Sequence, residues 1–97
     1  ETLEAGMLLS NEPGYYKEGV YGIRIENLVL VKKYGSGMLG FETVSLAPID
    51  LALVRKDILS AEEQKWLNAY HAQVKKVLAP LLNKTVRAWL EERASPL

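Results

Sequence analysis

Polar and apolar positions follow two different rhythms along this chain. Up to about residue 54 the apolar residues come in short alternating or continuous runs broken by glycine and proline, the mark of strands and turns. Beyond it they recur every three to four positions and glycine is absent, the mark of helix. The segment "MLLS" (7–10) reads as a short strand ending in the turn signal "NEPG" (11–14). Pro13 fixes its own φ and biases Glu12 toward extended backbone. The longest strand candidate is "VYGIRIENLVLVKK" (20–33). Its period of two puts Ile23, Ile25, Val29 and Val31 on one face, and Arg24, Glu26, Leu28 and Leu30 on the other. Between Leu28 and Val31 both faces are apolar, so that stretch is expected to be covered on both sides. "YGSGMLG" (34–40) reads as a glycine-rich loop, and "FETVSLAP" (41–48) as a strand stopped by Pro48. About three antiparallel strands result.

In the second half, Ser60 with Glu63 three residues later forms a capping box. The helix that follows carries Leu67, Tyr70, Val74 and Val77 or Leu78 on one stripe, and Pro80 ends or kinks it. Asn83 is positioned to cap a last helix with Val86, Trp89 and Leu90 on one side. The tail "ERASPL" (92–97) is expected to fray. Trp66, Trp89 and Tyr70 read as packing residues, and Lys32, Lys33, Lys75 and Lys76 as solvated charge. The fold class is therefore α+β, antiparallel strands followed by C-terminal helices, with a strand portion over 1–54 and a helical portion over 55–97.

Composition narrows the function. Lys plus Arg number 12 and so do Asp plus Glu, giving no formal net charge. Nucleic acid and anionic membrane surfaces are not indicated, since both call for basic excess or a basic face. Without cysteine the chain has neither disulfides nor thiolate metal sites, which suits a reducing cytoplasm. No apolar run approaches the roughly 20 residues that span a bilayer. The chain lacks an initial Met and enters a strand almost at once, from which we expect a piece of a larger protein.

Two carboxylates stand out. Glu12 directly precedes a Pro-Gly turn, and Glu26 sits inside the longest strand pattern, two residues from Arg24 on the same face. Spacing alone leaves two readings open. Glu12 is a solvated turn residue and Glu26 the partner of Arg24; or, if the two segments pair antiparallel, the carboxylates approach each other and a cation offsets their repulsion. Burying a carboxylate costs several kcal/mol without such compensation. An all-oxygen pair suits Mn²⁺ or Mg²⁺, and two such ions sharing a carboxylate can activate water for hydrolysis.

"GMLLSNEPGYY" (6–16) followed by "YGIRIENLVLV" (21–31) closely resembles the C-terminal part of aminopeptidase P, the Xaa-Pro aminopeptidases among the pita-bread metallopeptidases. "TVSLAPIDLALV" (43–54) and "LSAEEQKWLNAYHAQV" (59–74) are similar to the tail of its larger, cytosolic form. The resemblance covers nearly the whole chain. It implies the last part of a pita-bread catalytic domain, cytoplasmic and homodimeric. The substrates would be peptides with proline at the second position, and the cofactor two divalent metal ions, commonly manganese. By resemblance Glu12 is a ligand of one metal and the general base or proton shuttle, and Glu26 bridges both metals. Arg24 would hold a ligand carboxylate, and Tyr16 would reach the site. The family's two Asp ligands and its ligand His precede anything present here, so this stretch alone is expected to be inactive. His71, in the helix, matches no ligand motif and reads as a surface or packing residue. The rival readings are a related pita-bread hydrolase, such as a prolidase or methionine aminopeptidase, and a non-catalytic binding or dimerisation module of the same fold.

Overall fold

A computed structural model describes all of residues 1–97. The chain forms two compact units, Glu1–Ser45 and Leu46–Leu97.

The first unit holds five antiparallel strands: β1 (Leu8–Asn11), β2 (Gly14–Lys17), β3 (Tyr21–Arg24), β4 (Asn27–Tyr34) and β5 (Met38–Thr43). They make a three-stranded sheet in the order β1-β4-β5 and a two-stranded ladder of β2 with β3. The long strand expected over 20–33 is thus two strands, interrupted at Ile25 and Glu26. Pro13 explains the interruption. Its carbonyl accepts from the Ile25 N–H at 3.2 Å, but proline has no N–H to return, so the ladder loses a bond there.

The loop expected over 34–40 is shorter than its glycines suggested. Gly35 and Gly37 both adopt positive φ, at 53° and 78°, and close a tight turn that lets β5 begin at Met38. β5 ends at Thr43, well before Pro48. Val44 and Ser45 still bond to Leu28: the Val44 N–H donates to the Leu28 carbonyl, and the Leu28 N–H donates to the Ser45 Oγ. Cover on both faces of β4 is not found. Val29 and Val31 are buried, but Leu28 on the opposite face is 40% exposed, as an antiparallel sheet with one open face allows.

In the second unit α1 (Ala61–Leu78) starts at the expected capping box, with Ser60 and Glu63 each bonding the other's backbone N–H. Pro80 lies in the single 3-10 turn Ala79–Leu81 that ends it. The Asn83 side chain accepts from the Val86 N–H and starts α2 (Lys84–Arg93). Leu67, Tyr70 and Val74 are buried as expected, with Leu78 rather than Val77 as the better-covered continuation of the stripe. Tyr70, Val74 and Leu90 form the core, against which Ile49, Leu78 and Leu82 pack.

The expected α2 stripe reduces to Leu90, since Val86 and Trp89 are exposed. Leu90 is the α2 side chain that reaches the core, while Arg87 of the same helix donates to the Ala79 and Leu82 carbonyls. The tail does not fray: Ala94 is buried, and the Leu97 N–H donates to the Asn68 Oδ1 at 2.9 Å. Trp66 stays half exposed and stacks on Tyr70 with ring centroids 5.5 Å apart. Lys32 pairs with Glu42 rather than standing free.

Candidate metal centre

The two ladders keep one register across the Pro13 break. Asn11 stands opposite Asn27 at the end of the first, and Gly14 opposite Arg24 at the start of the second. Glu12 therefore falls opposite Glu26, and Pro13 opposite Ile25. In a regular ladder the pair beside a hydrogen-bonded one has the closest side chains, with Cα atoms about 4.5 Å apart. The antiparallel condition that would bring the carboxylates together is met.

Strand alternation puts Arg24 and Tyr16 on the same face as these carboxylates. The Arg24 guanidinium lies 3.7 Å from the Glu12 carboxylate and 5.8 Å from the centre of the Tyr16 ring. Sequence spacing had suggested Glu26 as the partner of Arg24; the ion pair that forms is the cross-strand one to Glu12. Both side chains are about half exposed, so the pair itself contributes less than about 1 kcal/mol. Its use is orientation, because the guanidinium restrains the carboxylate at one edge. Like charges directly opposite in a ladder are destabilising, and one guanidinium neutralises only one of two carboxylates. The donor set is all oxygen, which suits hard divalent ions. Nowhere in the chain do three or more His, Asp or Glu side chains gather to hold an ion, so Glu12 and Glu26 make at most part of a centre.

Sequence reading missed Gly14 and Gly22, which lie on this same face. A Cβ on Gly22 would meet the Tyr16 Cδ1 at 2.8 Å, and one on Gly14 would meet the Tyr16 hydroxyl at 2.7 Å. The signal was present, since both glycines sit at even spacing from Tyr16 and Arg24, but it acquires meaning only from the register.

His71 belongs elsewhere. It is 1% exposed, within α1, so it is a packing residue and not a surface one. Its Nε2 accepts from the Ile49 N–H at 3.0 Å, which leaves the proton of the neutral ring on Nδ1. That atom has no hydrogen-bond partner. Burial, with Lys75 adding repulsion, holds the His71 pKa below its ordinary value. An open hollow lined by Pro48, Ile49, Asp50, Trp89 and Arg93 also lies in the second unit and contains none of the four candidate residues.

Comparison with known proteins decides the family. Residues 1–33 match the model of metallopeptidase family M24, and residues 37–97 match that of the C-terminal region of peptidase M24. The chain belongs to metallopeptidase family M24. It is 46% identical to a probable Xaa-Pro aminopeptidase P of Coprinopsis cinerea over 99% of its length, and 40% identical to aminopeptidase P1 of Arabidopsis thaliana over 98%. An X-prolyl aminopeptidase of Caenorhabditis elegans, described as a cytosolic enzyme with a di-nuclear active site, superposes with a TM-score of 0.82 at 38% identity over 98% of the chain. These matches bear out the α+β architecture as the last part of a pita-bread domain. The chain spans only 17%, 16% and 17% of those three M24 relatives.

Proposed function

We propose that this M24 chain is the ligand-bearing C-terminal part of a cytoplasmic Xaa-Pro aminopeptidase. The parent would hydrolyse the bond between an N-terminal residue and a following proline, as a homodimer with two manganese ions. The observation that carries the reading is the shared register, which sets Glu12 opposite Glu26 beside Arg24 and Tyr16 in a chain so close to enzymes of that name.

In this reading Glu12 and Glu26 would be among the residues that hold the metal pair. The pair supplies a Lewis acid and lowers the pKa of a bound water when present. Arg24 restrains the Glu12 carboxylate through the 3.7 Å contact. Glu12 is also the group that moves a proton between water and the departing amine. Tyr16 shields the far side of Arg24. The remaining ligands and the substrate pocket belong to sequence outside these residues.

Glu26→Gln in the full-length protein tests the proposal. A neutral amide is a poor bridge between two cations, so metal content and the rate on Xaa-Pro peptides should fall together. Unchanged metal stoichiometry with full activity removes Glu26 from the site.

A further inference from the structure

We infer that Gly14 and Gly22 are positioning residues: they form a bare floor against which the Tyr16 ring rests along one edge, and the ring in turn holds Arg24 against Glu12. This rests on the reading of Glu12 as a metal ligand. The β2–β3 ladder pairs Tyr16 with Gly22 and Gly14 with Arg24, so the ring crosses two adjacent positions of its own face. Its Cδ1 edge is nearest Gly22 and its hydroxyl nearest Gly14, which points the ring along the hairpin toward the Glu12 end. An added Cβ at Gly22 would come within 2.8 Å of the ring edge, and one at Gly14 within 2.7 Å of the ring hydroxyl and 3.0 Å of the Ile23 carbonyl, so either substitution displaces the ring from where it rests. Neither glycine has a positive φ, so what demands glycine here is space and not backbone conformation. Above the ring stands the Arg24 guanidinium, 5.8 Å from its centre, and beyond that the Glu12 carboxylate at 3.7 Å. Ring, guanidinium and carboxylate form one chain of contacts with the glycines as its base. The ladder is otherwise exposed, and the long Arg24 side chain meets the Glu12 carboxylate and the Tyr16 ring.

A double-substitution cycle in the full-length protein tests this, using Gly22→Ala, Tyr16→Leu and their combination. Manganese affinity by calorimetry, kcat and KM on an Xaa-Pro peptide, and melting temperature are read for each. Gly22→Ala should lift the ring and weaken both manganese affinity and kcat/KM by ~10–100-fold, the usual loss when a residue supporting a ligand is disturbed. In the Tyr16→Leu background the same change should cost little more, because the planar ring that it displaces is gone. That non-additivity is the supporting result, and the melting-temperature cycle reports it even where activity is low. Equal effects of Gly22→Ala with and without the Tyr16 ring overturn the floor. Coupling in melting temperature with wild-type metal affinity and rate overturns the positioning role. Failure of the underlying reading shows separately, as a Glu12→Gln protein that keeps its metal and its rate.

Discussion

Leu90→Ala should unfold most of the second unit's margin of stability. Leu90 is the one buried side chain of α2, 2% exposed, and joins Tyr70 and Val74 in the core. Truncation removes three carbons from an apolar site, at about 0.8 kcal/mol each for transfer alone. A cavity follows, because Ile49, Leu78 and Leu82 are fixed to other segments around it. Measured costs for such buried truncations run about 2–5 kcal/mol. At about 0.05–0.15 kcal/mol per residue, a unit spanning Leu46–Leu97 holds only a few kcal/mol altogether. With about 4–8 °C lost per kcal/mol in small domains, the helical melting transition should drop by at least ~10 °C. Thermal melts of the 97-residue chain followed by far-UV circular dichroism read this directly. Leu81→Ala is the control: Leu81 is equally apolar but 77% exposed, and its loss should stay within about 0.5 kcal/mol. Equal destabilisation by the two substitutions would refute the claim that α2 is held through Leu90.

Two further outcomes follow from the same structure. Because the folded His71 pKa is held below its ordinary value of 6.5, the unfolded chain takes up the proton first as pH falls. The His71 contribution is therefore complete above about pH 6.5 and is lost as pH drops from there toward the folded value; melting temperature against pH should show this slope, and His71→Gln, which keeps an acceptor for the Ile49 N–H, should lack it. The 97-residue chain by itself should bind manganese only weakly, on the order of millimolar, as few-ligand oxygen sites do, and should not cleave Xaa-Pro peptides; micromolar binding in calorimetry or genuine turnover would refute the view of Glu12 and Glu26 as part of a larger ligand set.

What could be read from the sequence was whatever a local rule controls. The capping box at Ser60 and Glu63, the Asn83 cap and the stop at Pro80 each depend on a few adjacent residues, and each appears where expected. The stripe Leu67, Tyr70, Val74 was legible for the same reason. Apart from the early start of β5, set locally by the turn at Gly35 and Gly37, the instructive misses depend on partners distant in sequence. Alternation alone could not show that Pro13 would interrupt a strand twelve residues away, because that needs the pairing of Pro13 with Ile25. Nor could it show that Asn68 would tether Leu97. Glu12 and Glu26 were visible as anomalies of type and place, whereas the glycine floor beneath Tyr16 required the cross-strand register.

The hairpin's charges also argue against a purely structural account of its carboxylates. On the β4–β5 ladder, Lys32 and Glu42 meet diagonally as opposite charges, the arrangement that favours pairing. Across the Pro13 break the chain does the reverse and sets Glu12 opposite Glu26. It does so one pair away from where proline has already removed a ladder bond, so two local costs fall side by side. A hairpin selected only to pair well would place a lysine at one of these positions. Arg24 offsets Glu12, which leaves two carboxylates against one guanidinium and a residual negative charge on one face. Local rules broken together in this way are expected at functional sites. A divalent cation would relieve that repulsion, so the charge pattern supports the proposed metal role of Glu12 and Glu26 on grounds separate from the family resemblance.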